Sequence, residues 1–130
     1  MTIMDAIFRL GELKPNGYSQ SEKIKWLSTL DGIIKREIID IHESCGNKEC
    51  PCCRSFNGYN DDSALTTELL VPAPYDDIYL RWLEAQIDYA TGETARYNNS
   101  MDAYNSMFIA FQTYYNRTHM PISKGSRFKF

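Results

Sequence analysis

Between Tyr97 and Tyr115 the chain places Tyr97, Met101, Tyr104, Phe108, Phe111 and Tyr115 at alternating steps of four and three. That period belongs to a helix with one packed stripe, because side chains on a strand alternate every second residue. The seam is heptad-like but too short to require a coiled coil. Earlier in the chain Leu27, Leu30, Ile34, Ile38 and Ile41 recur at steps of three and four, which predicts a long amphipathic helix reaching about His42. Two long helices leave little room for a sheet. The expected fold is an all-α bundle of about four helices.

Local signals place the remaining elements. Thr2 and Asp5 form a capping pair, and Ile3, Ile7, Leu10 and Leu13 would share the buried face of a first helix that Pro15 and Asn16-Gly17 stop. Ser19 precedes Glu22 by three residues, the capping-box spacing for the second helix. Gly32 lies in that helix, where glycine is disfavoured by up to about 1 kcal/mol against Ala, so a close helix crossing is expected there. Pro72 and Pro74 hold the chain extended before a third helix with Asp76 and Asp77 in its first turn. Tyr79, Trp82, Leu83 and Gln86 mark one face of it, and Ile78, Ala85 and Tyr89 another, so it should be central. Thr91-Gly92 breaks it from the aromatic helix. Residues 43–74 lack a helical period and form a long middle loop, with a short β-hairpin expected around Asn57-Gly58. The domain plan is thus a helical domain over 1–119 with that loop inserted, and an extended tail over 120–130.

The 130 residues suit one domain, and 43% hydrophobic with 24% charged residues is the composition of a globular chain. No apolar run approaches the roughly 20 residues that span a bilayer, so no membrane association is expected. The N-terminus lacks a secretory pattern, which makes a reducing cytosol the expected compartment and a disulfide scaffold improbable. The formal charge of −3 divides unevenly. Residues 117–130 carry Arg117, Lys124, Arg127 and Lys129 without an acid, whereas residues 1–116 hold 10 basic against 17 acidic side chains. An acidic body argues against a protein held on nucleic acid by counterion release.

Cys45, Cys50, Cys52 and Cys53 are the strongest chemical lead. Four thiolates can hold zinc tetrahedrally and clip a long loop, but structural zinc sites usually join two short pairs a dozen or more residues apart. Here all four fall within nine residues. Cys50-Pro51-Cys52-Cys53 also has the C-x-x-C redox spacing without the expected βαβ context. Unligated thiols are the favoured reading, with a zinc clip and a redox or disulfide role left open. His42 and His119 sit where a cation complements a helix C-terminus. No catalytic triad order, phosphate-binding glycine loop or H-E-x-x-H motif is present, so neither enzymatic activity nor a cofactor is expected. The aromatic stripe lacks the adjacent cations of a base-stacking platform and reads as core. The tail residues Lys124, Arg127, Phe128, Lys129 and Phe130 alternate cation and ring near the end, the pattern of a docking arm.

Four stretches resemble a known family: R-E-I-I-D-I-H (36–42), E-L-L-V-P-A-P-Y-D-D-I-Y (68–79), A-Q-I-D-Y-A-T-G-E-T-A-R-Y-N-N-S-M (85–101) and Y-Y-N-R-T-H-M-P (114–121). They are similar to the head–tail connector proteins, also called head-completion or adaptor proteins, of siphophages and prophages of Gram-positive bacteria. The resemblance covers about residues 15–42 and 56–130. It implies a mostly helical subunit that forms a ring of about twelve copies under the portal protein. Such a ring extends the DNA channel without sequence-specific binding and receives the next tail or stopper component. It implies a virion location at the head–tail junction, after a period in the host cytoplasm. The family pattern has a short glycine-rich loop where this chain carries its longer cysteine segment, which speaks against a family role for the thiols. The other functional class compatible with the residues is a small protein-interaction module stabilised by metal in the cysteine loop.

Overall fold

A computed structural model of the chain describes residues 1–40, 56–60, 65–72 and 74–118. Helix α1 spans Ile3–Leu13 and begins with the expected box: Asp5 N–H donates to Thr2 Oγ1 at 3.1 Å, and Thr2 N–H donates to Asp5 Oδ2 at 3.2 Å. The buried face is Ile3, Ala6 and Leu10, with Ile7 half-buried and Leu13 exposed. Ile3, Ile7 and Leu10 of the expected face thus pack on the core, while Leu13 does not and Ala6 joins instead, a small rotation of the stripe. The reason lies far along the sequence. Ile3 and Met4 donate their N–H groups to the carbonyls of Thr67 and Leu65 at 3.1 and 3.0 Å, and Leu69 N–H donates to Met1 O at 3.0 Å. These bonds satisfy donors that a helix start leaves free, and they fix which side of α1 meets the core.

Helix α2 spans Gln20–Ile34, with Glu22 N–H donating to Ser19 Oγ at 3.3 Å. Its α-geometry stops short of the expected His42. A π-helical turn, Lys35–Ile39, follows, with Asp40 N–H donating to Lys35 O at 2.8 Å. The wider turn brings both Ile38 and Ile39 into the core, where strict α-spacing would turn one of them away. Ile41 and His42 lie outside the described residues.

Helix α3, Asp77–Thr91, is central as expected: Ile78, Tyr79, Leu80, Leu83, Ala85, Ile87 and Asp88 are buried and together face several directions. It ends at Gly92, whose φ of +80° suits a residue without a Cβ. Glu93 N–H closes the turn onto Asp88 O at 2.9 Å. Helix α4, Thr94–Thr118, then runs back along α3. The antiparallel register is written in paired side chains: Tyr97 meets Tyr89, Ser100 meets Asp88, Tyr104 meets Trp82 and Phe111 meets Tyr75. The expected seam is the packed stripe, with Tyr104, Phe111 and Tyr115 buried and Met101 and Phe108 packed beside them. Each fully buried large apolar side chain of this kind contributes about 1.5–3 kcal/mol.

No strand occurs among the described residues, and the fold is all-α. Residues 56–60 do not form the expected hairpin. Phe56 and Tyr59 pack edge-to-face at 5.1 Å and lie on α2, where Tyr59 N–H donates to Ser28 Oγ at 3.0 Å. Gly58 makes that approach with a φ of +90°. Gly32 likewise faces the Phe56 ring, 3.8 Å from where a Cβ would sit, and not a crossing helix.

Candidate functional site

The described residues contain two buried polar nodes and one exposed apolar face. The first node is centred on Asp31, a fully buried side chain in the last turn of α2. Its Oδ1 accepts the Tyr79 hydroxyl at 2.6 Å, and its Oδ2 accepts the Tyr59 hydroxyl at 2.5 Å and Leu70 N–H at 3.2 Å. The Tyr79 oxygen in turn accepts Val71 N–H at 2.7 Å. One carboxylate thus joins α2 to α3 and to the segments around Tyr59 and Leu70. Burial first, and then the negative charge and hydrogen bond of Asp31, push the Tyr79 hydroxyl well above the ordinary tyrosine value. Tyr79 therefore stays protonated and serves as a donor to Asp31.

The second node joins three helices. Asp88 on α3 is buried, accepts the Lys14 ammonium from the end of α1, and accepts the Ser100 hydroxyl of α4 at 2.8 Å. The surrounding concavity, about 350 Å³, is lined by Asp88, Tyr89, Gly92, Thr94, Tyr97 and Asn98. Its carboxylate is committed to the two donors, which is the arrangement of a structural tie.

Sequence reasoning passed over both nodes. A signal was present for each. Asp31 interrupts the apolar stripe Leu27, Leu30, Ile34, and Asp88 follows Ile87 in a helix apolar on several sides. An acid inside a core stripe calls for partners, and those partners stand 28 to 48 residues away for Asp31.

The exposed apolar face belongs to α1. Phe8 is 65% exposed and Met4 50%, one turn apart on the side away from Ile3 and Leu10. Beside them Met4, Ile7, Phe8, Gln20 and Leu65 line a predominantly apolar concavity of about 290 Å³. On the other flank Met1, Asp5, Phe8, Arg9 and Asp76 line a more polar one of similar size. Phe8 is the wall between the two.

Cys45, Cys50, Cys52 and Cys53, for which a zinc clip was left open, the tail residues Lys124, Arg127, Phe128, Lys129 and Phe130, and both histidines lie outside the described residues. Among the described residues no cluster of His, Cys, Asp or Glu has the grouping of a metal site. Asp77 opens α3 as expected, and Asp76 is its N-cap without a side-chain capping bond. Among the described residues no helix is long and apolar enough to cross a membrane. No protein-family profile, curated protein or solved structure matches the chain.

Proposed function

We propose that the chain is a structural subunit of a phage head–tail connector, without enzymatic activity or a resident cofactor. It would assemble as a ring of about twelve copies under the portal protein, extend the DNA channel and receive the tail or stopper component on its far side. The observation that carries this reading is the set of four resembling stretches and where they fall. Residues 68–79 contain Leu70, Val71 and Tyr79, which close the Asp31 node, and residues 85–101 contain the α3–α4 turn with Asp88 and Ser100. Those two stretches include the residues that tie α2, α3 and α4 together, alongside the exposed residues 89–96 of the α3–α4 turn.

The charge distribution supports the same reading. An acidic body repels the phosphate backbone, so a wall made from it lets duplex DNA slide without sticking. The basic, aromatic tail is then available to grip a protein partner. The test is to mix the purified chain with purified portal protein and examine the product by co-sedimentation and negative-stain microscopy. Rings stacked on portal particles are expected. A chain that stays strictly monomeric and leaves portal particles unchanged would overturn the proposal.

A further inference from the structure

The outer face of α1 contains two features that the packing of the described residues does not explain. The first is the Met4–Phe8 ridge, which exposes a large aromatic ring beside an apolar concavity. The second is Gly11, three residues past Phe8 on the same helix. Among the described residues a Cβ placed there meets no atom within 4 Å, so none of them requires a glycine, although glycine weakens a helix. A glycine next to an exposed ring makes room for a second backbone to approach closely.

The charges around the ridge indicate what kind of segment approaches. Asp5 and Glu12 lie one turn to either side of Phe8, and Asp76 shares the neighbouring concavity with Asp5, Arg9 and the Met1 ammonium. That ammonium is 3.9 Å from Asp76 Oδ2, so that with Asp77 the acids outnumber the cations. Arg9 is turned toward Asp77, with Nη1 3.9 Å from Oδ1. An apolar ridge with an acidic border fits a segment of alternating rings and cations. The chain has one such segment, Arg127-Phe128-Lys129-Phe130, preceded by Lys124. In an extended segment, residues two apart are roughly 6.6 Å apart and share a side. Two such rings can straddle Phe8, one in each concavity, with the cations over the acids.

We infer that the α1 face is a self-docking site, in which the Met4–Phe8 ridge of one copy receives residues 124–130 of a second copy. Because each copy has one ridge and one tail, the contact is heterologous and propagates from copy to copy. The inference builds on the docking-arm reading of the tail but requires no portal protein, so its failure and that of the connector proposal are separately visible.

The experiment uses full-length chains in sedimentation velocity at rising concentration. Wild-type protein should associate, and raising the salt from low to about 0.5 M should weaken the association severalfold by screening. Phe8→Ser should abolish association while circular dichroism stays unchanged, since the ring is exposed. Gly11→Leu should do the same by filling the open space. Phe128→Ser/Phe130→Ser should also be monomeric. Mixing Phe8→Ser, which keeps its tail, with Phe128→Ser/Phe130→Ser, which keeps its ridge, should restore a one-to-one heterodimer that grows no further. A wild-type chain that is monomeric throughout would overturn the inference, as would a Phe8→Ser variant that associates normally or a mixture that stays monomeric.

Discussion

The Tyr79 hydroxyl donates to Asp31 Oδ1 at 2.6 Å, which fastens the first turn of α3 to the last turn of α2. Tyr79 also accepts Val71 N–H, so removing either side chain leaves buried donors without acceptors. Tyr79→Phe should destabilise the fold by about 1–3 kcal/mol, and Asp31→Ala by about 3–5 kcal/mol. The double variant should cost less than the sum, because the two act in one network. Urea denaturation followed by tryptophan fluorescence reads all three.

Alkaline pH should weaken the same node. Tyr79 titrates well above the ordinary 10.0, and burial pushes Tyr104 up to about 12. A group with a raised folded pKa contributes its stability in full below the unfolded value and loses it as pH climbs toward the folded one. Stability should therefore be flat with respect to these groups up to about pH 9 and fall from about pH 10, with a slope from Tyr79 approaching about 1.4 kcal/mol per pH unit. The wild-type slope should exceed that of Tyr79→Phe in denaturation series run from pH 9 to 12.

The Lys14–Asp88 pair predicts an asymmetry between single and double replacement. Lys14→Met leaves the buried Asp88 carboxylate with the Ser100 hydroxyl but without its cation, and should cost about 3 kcal/mol. Adding Asp88→Asn removes the stranded charge and should recover most of the loss. Thermal unfolding of the three proteins is the check.

Two glycines should respond in opposite directions to alanine. Gly92→Ala forces a Cβ into a left-handed residue and should cost about 1–2 kcal/mol, with no steric clash involved. Gly11→Ala should stabilise the subunit by up to about 1 kcal/mol, because it improves an ordinary helix position.

The favoured reading of the cysteines predicts that metal is dispensable. Protein purified without chelator should show the mass of the bare chain in native mass spectrometry, and dialysis against chelator should leave the melting temperature unchanged. One bound zinc whose removal lowers that temperature would establish the clip.

The sequence was most informative where one periodic signal decides an element. The aromatic seam of α4, the N-cap of α1 and the Gly92 stop appear where their spacing and chemistry place them. That Ala6 and not Leu13 completes the buried face of α1 was not legible, because Leu13 is the more apolar of the two and the rotation is fixed by bonds to the carbonyls of residues 65 and 67. Nor was the fate of Asn57-Gly58. That dipeptide permits a turn with positive φ, and the contact with Ser28 and Asp31 decides what the turn serves. Among candidate site residues, Phe8 falls off the expected buried face of α1, but nothing local in the sequence shows that Leu65 comes alongside it to shape a concavity.

The dependence of α1 on residues 65–67 also sets an order of events during synthesis. The helix is translated before the acceptors for its Ile3 and Met4 N–H groups, and before Asp88, the partner of its terminal Lys14. At roughly 5–20 residues per second, the wait for residue 67 lasts about 3–13 seconds. During that interval α1, a helix of 11 residues and too short to be stable alone, lacks both these acceptors and its packing on α3. The first helix in the chain is therefore among the last to be secured.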